Sequence, residues 1–148
     1  ATLKTYLETL DSNRHYFLQS DIAYFARYKT TLDDSLRRGD MEPVFDIFRL
    51  YRLRAQQNIG YAMSLLDQEP DFALDEDYVF AREKLPWAAT PAEMQDLWRK
   101  RVKNDALSLM LADKTWKETG DILRKRYAVR DVNWFPVAVE ILVPAGDG

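Results

Sequence analysis

Apolar side chains recur along most of this chain at intervals of three and four, the spacing of one face of an α-helix. The longest series is Val44, Phe48, Tyr51, Ala55, Ile59, Ala62 and Leu66. It holds the period for about seven turns and predicts a long amphipathic helix, with Asp40 placed to cap it and Pro43 in its first turn. Glu69-Pro70 ends it. Upstream, Thr2 to Leu10 reads as a short helix with Leu3, Tyr6, Leu7 and Leu10 on one face. Asp11-Ser12-Asn13 is turn chemistry, because all three side chains can bond nearby backbone. Ser20 is the expected N-cap of a next helix carrying Ile22, Phe25, Tyr28 (or Ala26), Leu32 and Leu36, and Arg37-Arg38-Gly39 is its expected stop.

Downstream of Pro70 the period fails. Residues 71–89 include Pro86 and read as a long ordered connection, with Phe72, Tyr78, Phe80 and Trp87 pinned onto the helices. Thr90-Pro91-Ala92-Glu93 is a capping box with Pro at the first helical position. It opens a helix traced by Met94, Leu97, Trp98, Arg101, Val102, Asp105 and Leu109. Thr115-Trp116-Lys117-Glu118 repeats the box and predicts a last helix to about Tyr127, with Ile122 and Leu123 inward. The expected fold is all-α, five or so helices around the 44–66 stripe, forming a domain over residues 1–130. Residues 131–148 differ in texture. Trp134 to Val143 is strand-like, and a single strand must pair with something absent from the sequence.

Composition narrows the function. At 148 residues and 17.4 kDa, 47% hydrophobic, the chain has the material for one domain with a true core. Its net charge of −3 argues against gripping nucleic acid through phosphates. No apolar run is long enough to span a membrane, and the first residues show no signal pattern, which a mature exported chain also lacks. The absence of cysteine removes disulfides, thiolate catalysis and Cys-based zinc sites.

Few residues suggest chemistry. His15 is the one histidine, with no Ser or Asp partner evident in sequence, and an ordinary structural role is expected. Asp75-Glu76-Asp77 fails the calcium-loop pattern because Phe80 stands where glycine is needed, which leaves a solvated loop. Arg124-Lys125-Arg126, with Lys114, Lys117 and Arg130, could mimic a recognition helix; compensation of a helix dipole explains it without DNA. Arg49, Arg52 and Arg54 flank the long stripe; a solvated helix face is the default expectation, and a docking face for an acidic partner is the alternative. No phosphate loop, nucleophile elbow or paired-carboxylate signature is present. No residue is assigned as catalytic, cofactor-binding or metal-binding, and no cofactor is expected.

Several spellings resemble a known family. Tyr6-Leu7-Glu8-Thr9-Leu10-Asp11, Phe17-Leu18-Gln19-Ser20-Asp21-Ile22 and Phe25-Ala26 are similar to the N-terminal helical domain of the tail-specific proteases, among the C-terminal processing peptidases of bacteria. The likeness continues through Asp46-Ile47-Phe48, Tyr61-Ala62-Met63-Ser64-Leu65-Leu66, Asp71-Phe72 and Ala81-Arg82-Glu83-Lys84-Leu85-Pro86-Trp87. It then takes in Leu97-Trp98, Arg101-Val102-Lys103-Asn104-Asp105 and Ile122-Leu123-Arg124-Lys125-Arg126-Tyr127.

The resemblance implies a periplasmic parent protein that recognises nonpolar C-termini through a PDZ domain and cuts protein substrates with a Ser/Lys dyad. That dyad would lie beyond this region, so no catalytic residue transfers. Val137-Ala138-Val139-Glu140-Ile141-Leu142 with Pro144-Ala145-Gly146 resembles a late PDZ strand, which implies that a segment is missing between about Tyr127 and Trp134. The expected role is a noncatalytic scaffold that frames the substrate path or docks a partner such as an adaptor protein. The alternatives are a stand-alone helical adaptor and, more weakly, a helix-turn-helix DNA binder.

Overall fold

The 44–66 stripe is the axis of the fold. In the computed structural model, which describes residues 3–128, every one of its seven apolar side chains is buried. The helix that carries the first six is α4, Glu42–Leu65, and Leu66 is its C-cap. Before it come α1 (Leu3–Leu10), α2 (Gln19–Phe25), a 3-10 turn (Ala26–Tyr28) and α3 (Leu32–Arg37). After it come α5 (Pro91–Leu111) and α6 (residues 116–128). The described residues contain no strand, only an isolated parallel bridge between Leu18 and Ala88. The all-α expectation holds, with six helices. The strand-like stretch Trp134 to Val143, Arg130 and the expected 131–148 unit lie outside the described residues.

Helix ends follow local chemistry. At α6, Thr115 Oγ1 accepts the Glu118 N–H at 3.1 Å while Glu118 accepts the Thr115 N–H at 3.2 Å, a reciprocal box. At α5, Thr90 Oγ1 accepts the Glu93 N–H at 3.2 Å, but Glu93 reaches back one residue further, to the Ala89 N–H at 2.8 Å. Thr115→Ala is expected to lower stability by about 1 kcal/mol, read as a shift of the urea midpoint. A change confined to scatter would show that α6 is held by packing alone. Gly39, at φ +73°, closes α3: the Asp40 N–H reaches Ser35 O at 2.8 Å and the Gly39 N–H reaches Leu36 O at 3.1 Å.

The predicted single helix from Ser20 to Leu36 is two helices. Thr30 and Thr31 are β-branched and hold a helix weakly, so the chain tightens into a 3-10 turn instead. That turn brings the hydroxyls of Tyr24 and Tyr28 onto the same Asp46 carboxylate of α4. Ser20 is not the N-cap of α2. Leu18 takes that position, and Asp21 accepts its N–H at 2.9 Å. Asp40 acts one residue before the cap of α4, accepting the Glu42 N–H at 3.1 Å.

Aromatic rings fill the space between α4, α5 and α6. Trp98 is 1% exposed and meets Tyr16, Tyr127 and His15 with ring centroids 5.8, 6.3 and 5.8 Å away. Val102, Ala106 and Leu123 complete that layer, and Phe17 packs edge-on to Phe25. Residues 71–89 form a strap between α4 and α5 without helix or strand. Phe72, Tyr78 and Trp87 pack against the core as expected. Phe80 does not: it is 66% exposed and touches the strap through the edge of Tyr78.

Candidate functional site

The turn after α1 gathers polar groups that the aromatic core would otherwise strand. Asp11 is buried, and its Oδ1 accepts the His15 N–H at 2.9 Å. Its Oδ2 accepts the N–H groups of Tyr16 at 3.1 Å and Phe17 at 2.9 Å, and the indole N–H of Trp87 at 3.1 Å. Burial pushes the Asp11 carboxyl above its ordinary range, while these four donors pull it back down. Arg14 adopts left-handed backbone, φ 56°, and lays its guanidinium 4.2 Å from the Trp87 ring centre.

His15 belongs to this network. It is buried, its Nε2 lies 2.9 Å from the Tyr78 hydroxyl, and its carbonyl accepts from Trp98 at 2.7 Å and Asn58 at 3.1 Å. These contacts join the α1–α2 turn to α4, α5 and the strap. They give the histidine a structural task, as the sequence suggested. Among the described residues, no three His, Cys, Asp or Glu side chains gather as a metal-binding group.

The strap is anchored twice more. Glu76 receives Arg99 through two bonds of 2.6 and 2.9 Å and Lys103 at 2.8 Å. Lys103 also donates to Leu74 O at 2.7 Å, and Gln19 donates its side-chain amide to Trp87 O at 2.9 Å. Glu76 is therefore not part of a solvated loop; only Asp75 and Asp77 stay exposed. Arg99 first, then Lys103, holds the Glu76 carboxyl down to about 2 from 4.5.

A depressed carboxyl adds stability above its unfolded pKa. That contribution is whole above pH 4.5 and drains away as pH falls through about 2. The urea midpoint is expected to fall over that window, and Glu76→Gln is expected to flatten its pH profile. An unchanged profile in the variant would refute the anchor.

The arginine face divides in the same way. Arg54 grips Asp21 with two bonds of 2.8 Å, and that carboxylate is almost wholly buried. Arg54 is thus a latch from α4 to α2, not a docking residue. Arg49 pairs with Glu42 at 3.1 Å and Asp46 at 3.6 Å, and Arg52 remains exposed. The arrangement can fix four segments of chain rigidly against one another. The carboxylates of Asp11, Asp21 and Glu76 are each engaged with partners on another segment, while Arg14 Nε is buried without a hydrogen bond.

The family profile described as tail specific protease N-terminal domain matches residues 1–133. The chain belongs to that family. A tail-specific protease of Haemophilus influenzae is 42% identical over 123 residues, covering 82% of this chain and 18% of the relative. The chain thus spans less than a fifth of the relative it matches.

Within this tail-specific protease N-terminal domain, one member of the basic run of α6 has an acidic partner. Arg124 pairs with Asp67 at 2.8 Å, which ties α6 to the end of α4. Sequence reasoning missed Asp11, Glu76 and Arg54 as anchors. Their partners lie up to 76 residues away, and no local spacing announces them. Among the described residues, no helix is long and apolar enough to cross a membrane.

Proposed function

We propose that this chain is the noncatalytic N-terminal region of a periplasmic tail-specific serine endopeptidase. The carrying observation is its 42% identity to a stretch amounting to 18% of a tail-specific protease. On this reading a Ser/Lys dyad lies elsewhere in the parent protein. There a lysine held neutral takes the proton of the attacking serine hydroxyl, and no histidine is needed. A PDZ domain follows this region and selects proteins with nonpolar C-termini.

The helical domain supplies a rigid frame for the substrate path. Rigidity is what its geometry offers, because Asp11, Glu76 and Asp21 each tie a separate segment to the body. The experiment compares the full-length parent polypeptide with residues 1–148 on a peptide ending in apolar residues. The parent is expected to cut it, to lose cutting when its serine or lysine is replaced, and the 148-residue chain is expected to be inert. Cleavage by the 148-residue chain itself, or a parent that cuts no such peptide, overturns the proposal.

A further inference from the structure

The latch from Arg54 to Asp21 leaves much of the arginine face of α4 unexplained. Beside it, α2 and α4 frame an open groove of about 410 Å³ lined by Asp21, Tyr24, Asp46, Arg49, Leu50 and Leu53. Its walls are largely apolar although they face water: Tyr24 is 37% exposed and Leu53 46%. Phe45, 47% exposed, extends this surface, because positions 45, 49 and 53 form one row along the helix. The acids inside the groove are already committed. Asp21 is held by Arg54, and Asp46 accepts the hydroxyls of Tyr24 and Tyr28. The rim is basic. Arg27 lies 3.7 Å over the Tyr24 ring centre, Arg49 and Arg52 stand exposed on α4, and Glu42 is the exposed acid paired to Arg49.

We infer that this groove seats an acidic amphipathic helix of another protein. The walls decide that the occupant is a helix. Both are α-helices that spend their backbone groups internally, so they offer no main-chain edge to pair with. An incoming segment must therefore satisfy its own N–H and C=O groups, as a helix laid in a groove does. Apolar side chains three and four residues apart on it would rest against Tyr24, Leu50 and Leu53. Charge decides the rest. Glu or Asp flanking that apolar stripe would meet Arg27, Arg49 and Arg52, through charge-assisted bonds. A second copy presenting the same face would set arginine against arginine, which is unfavourable. The groove is read from this chain's own residues and goes beyond the proposed place in the parent, because its test involves no hydrolysis.

The probe is a labelled peptide of about eighteen residues, long enough to hold a helix, with Leu along one face and Glu on the others. Its C-terminus is amidated, so that a site for free C-termini is not engaged. Titrated at low salt and followed by anisotropy, it is expected to bind saturably to the 148-residue chain and to the full-length parent polypeptide alike. In NMR spectra of the 148-residue chain, the shift changes are expected to centre on Tyr24, Leu50 and Leu53. A counterpart with Lys for Glu is expected to bind at least about tenfold more weakly, because its charge repels the rim. Proline at the centre of the Glu peptide should weaken it by about tenfold as well, since proline breaks the helix. Leu53→Ser and, separately, Arg27→Glu with Arg52→Glu change exposed positions, and each should weaken binding by about tenfold with the circular dichroism unchanged. No saturable binding, equal binding of both charge forms, indifference to proline or to the variants, or shifts centred elsewhere each overturns the inference. So does binding to the 148-residue chain but not to the parent, which would show that the parent's own chain fills the groove. Self-association that is lost in Leu53→Ser overturns it too, by making the occupant a second copy.

Discussion

Asp11→Ala is expected to destabilise the domain by about 3–5 kcal/mol, because it removes at once the acceptor of three buried donors and a fourth, half-buried one. Three of these are successive backbone N–H groups, of His15, Tyr16 and Phe17, and the fourth is the Trp87 indole. Each donor left dry costs about 1–3 kcal/mol, and entry of water into the space keeps the total below the sum. Asp11→Asn keeps one acceptor oxygen but turns an NH2 group toward the donors, so an intermediate loss is expected. Urea unfolding of the three proteins at neutral pH measures the series. A loss under about 1 kcal/mol in the alanine variant would mean that the turn is held by its aromatic neighbours instead.

The other large effect belongs to Trp98. Trp98→Ala is expected to cost about 3–5 kcal/mol, by leaving a cavity among Tyr16, Val102 and Tyr127 that rigid helices can only partly close. Trp98→Phe separates shape from hydrogen bonding. It keeps most of the ring contact and loses the 2.7 Å bond to His15 O, which Asn58 still serves. A loss of about 1–2 kcal/mol is expected there, read by the same unfolding measurement. If the two variants fall together, the indole bond and not the packing carries the effect.

Both residues show how far the sequence could be read. Trp98 was legible as a core position because α5 repeats its apolar residues at helical spacing. The stripe of α4 was legible for the same reason, and all seven of its positions are buried. The reciprocal capping box at α6 and the Gly39 stop of α3 follow rules that act within one turn of helix.

Asp11 was legible only as a turn residue. Its local bonds reach four to six residues ahead, yet the feature that buries it is an indole 76 residues away. Glu76 and Arg54 mislead in different ways. Glu76 has the neighbours of a solvated loop and is clamped by two cations; Arg54 has the neighbours of an open helix face and is latched to Asp21. The break at Ala26–Tyr28 was hidden because Leu32 and Leu36 keep an apparent helical period across it. The strap's outer edge, with Phe80 turned to water, was invisible to any rule that assigns aromatics inward.

The bond from Trp98 to the His15 carbonyl spans 83 residues of chain. A ribosome adding about 5–20 residues per second needs roughly 4–17 s to deliver that partner after residue 15 has emerged. Through that interval Tyr16 lacks the ring of Trp98, although the carboxylate of Asp11 can already gather the three amides beside it. The nascent turn is therefore shaped early and covered late, and the first hundred residues must stay clear of other nascent chains until α5 arrives.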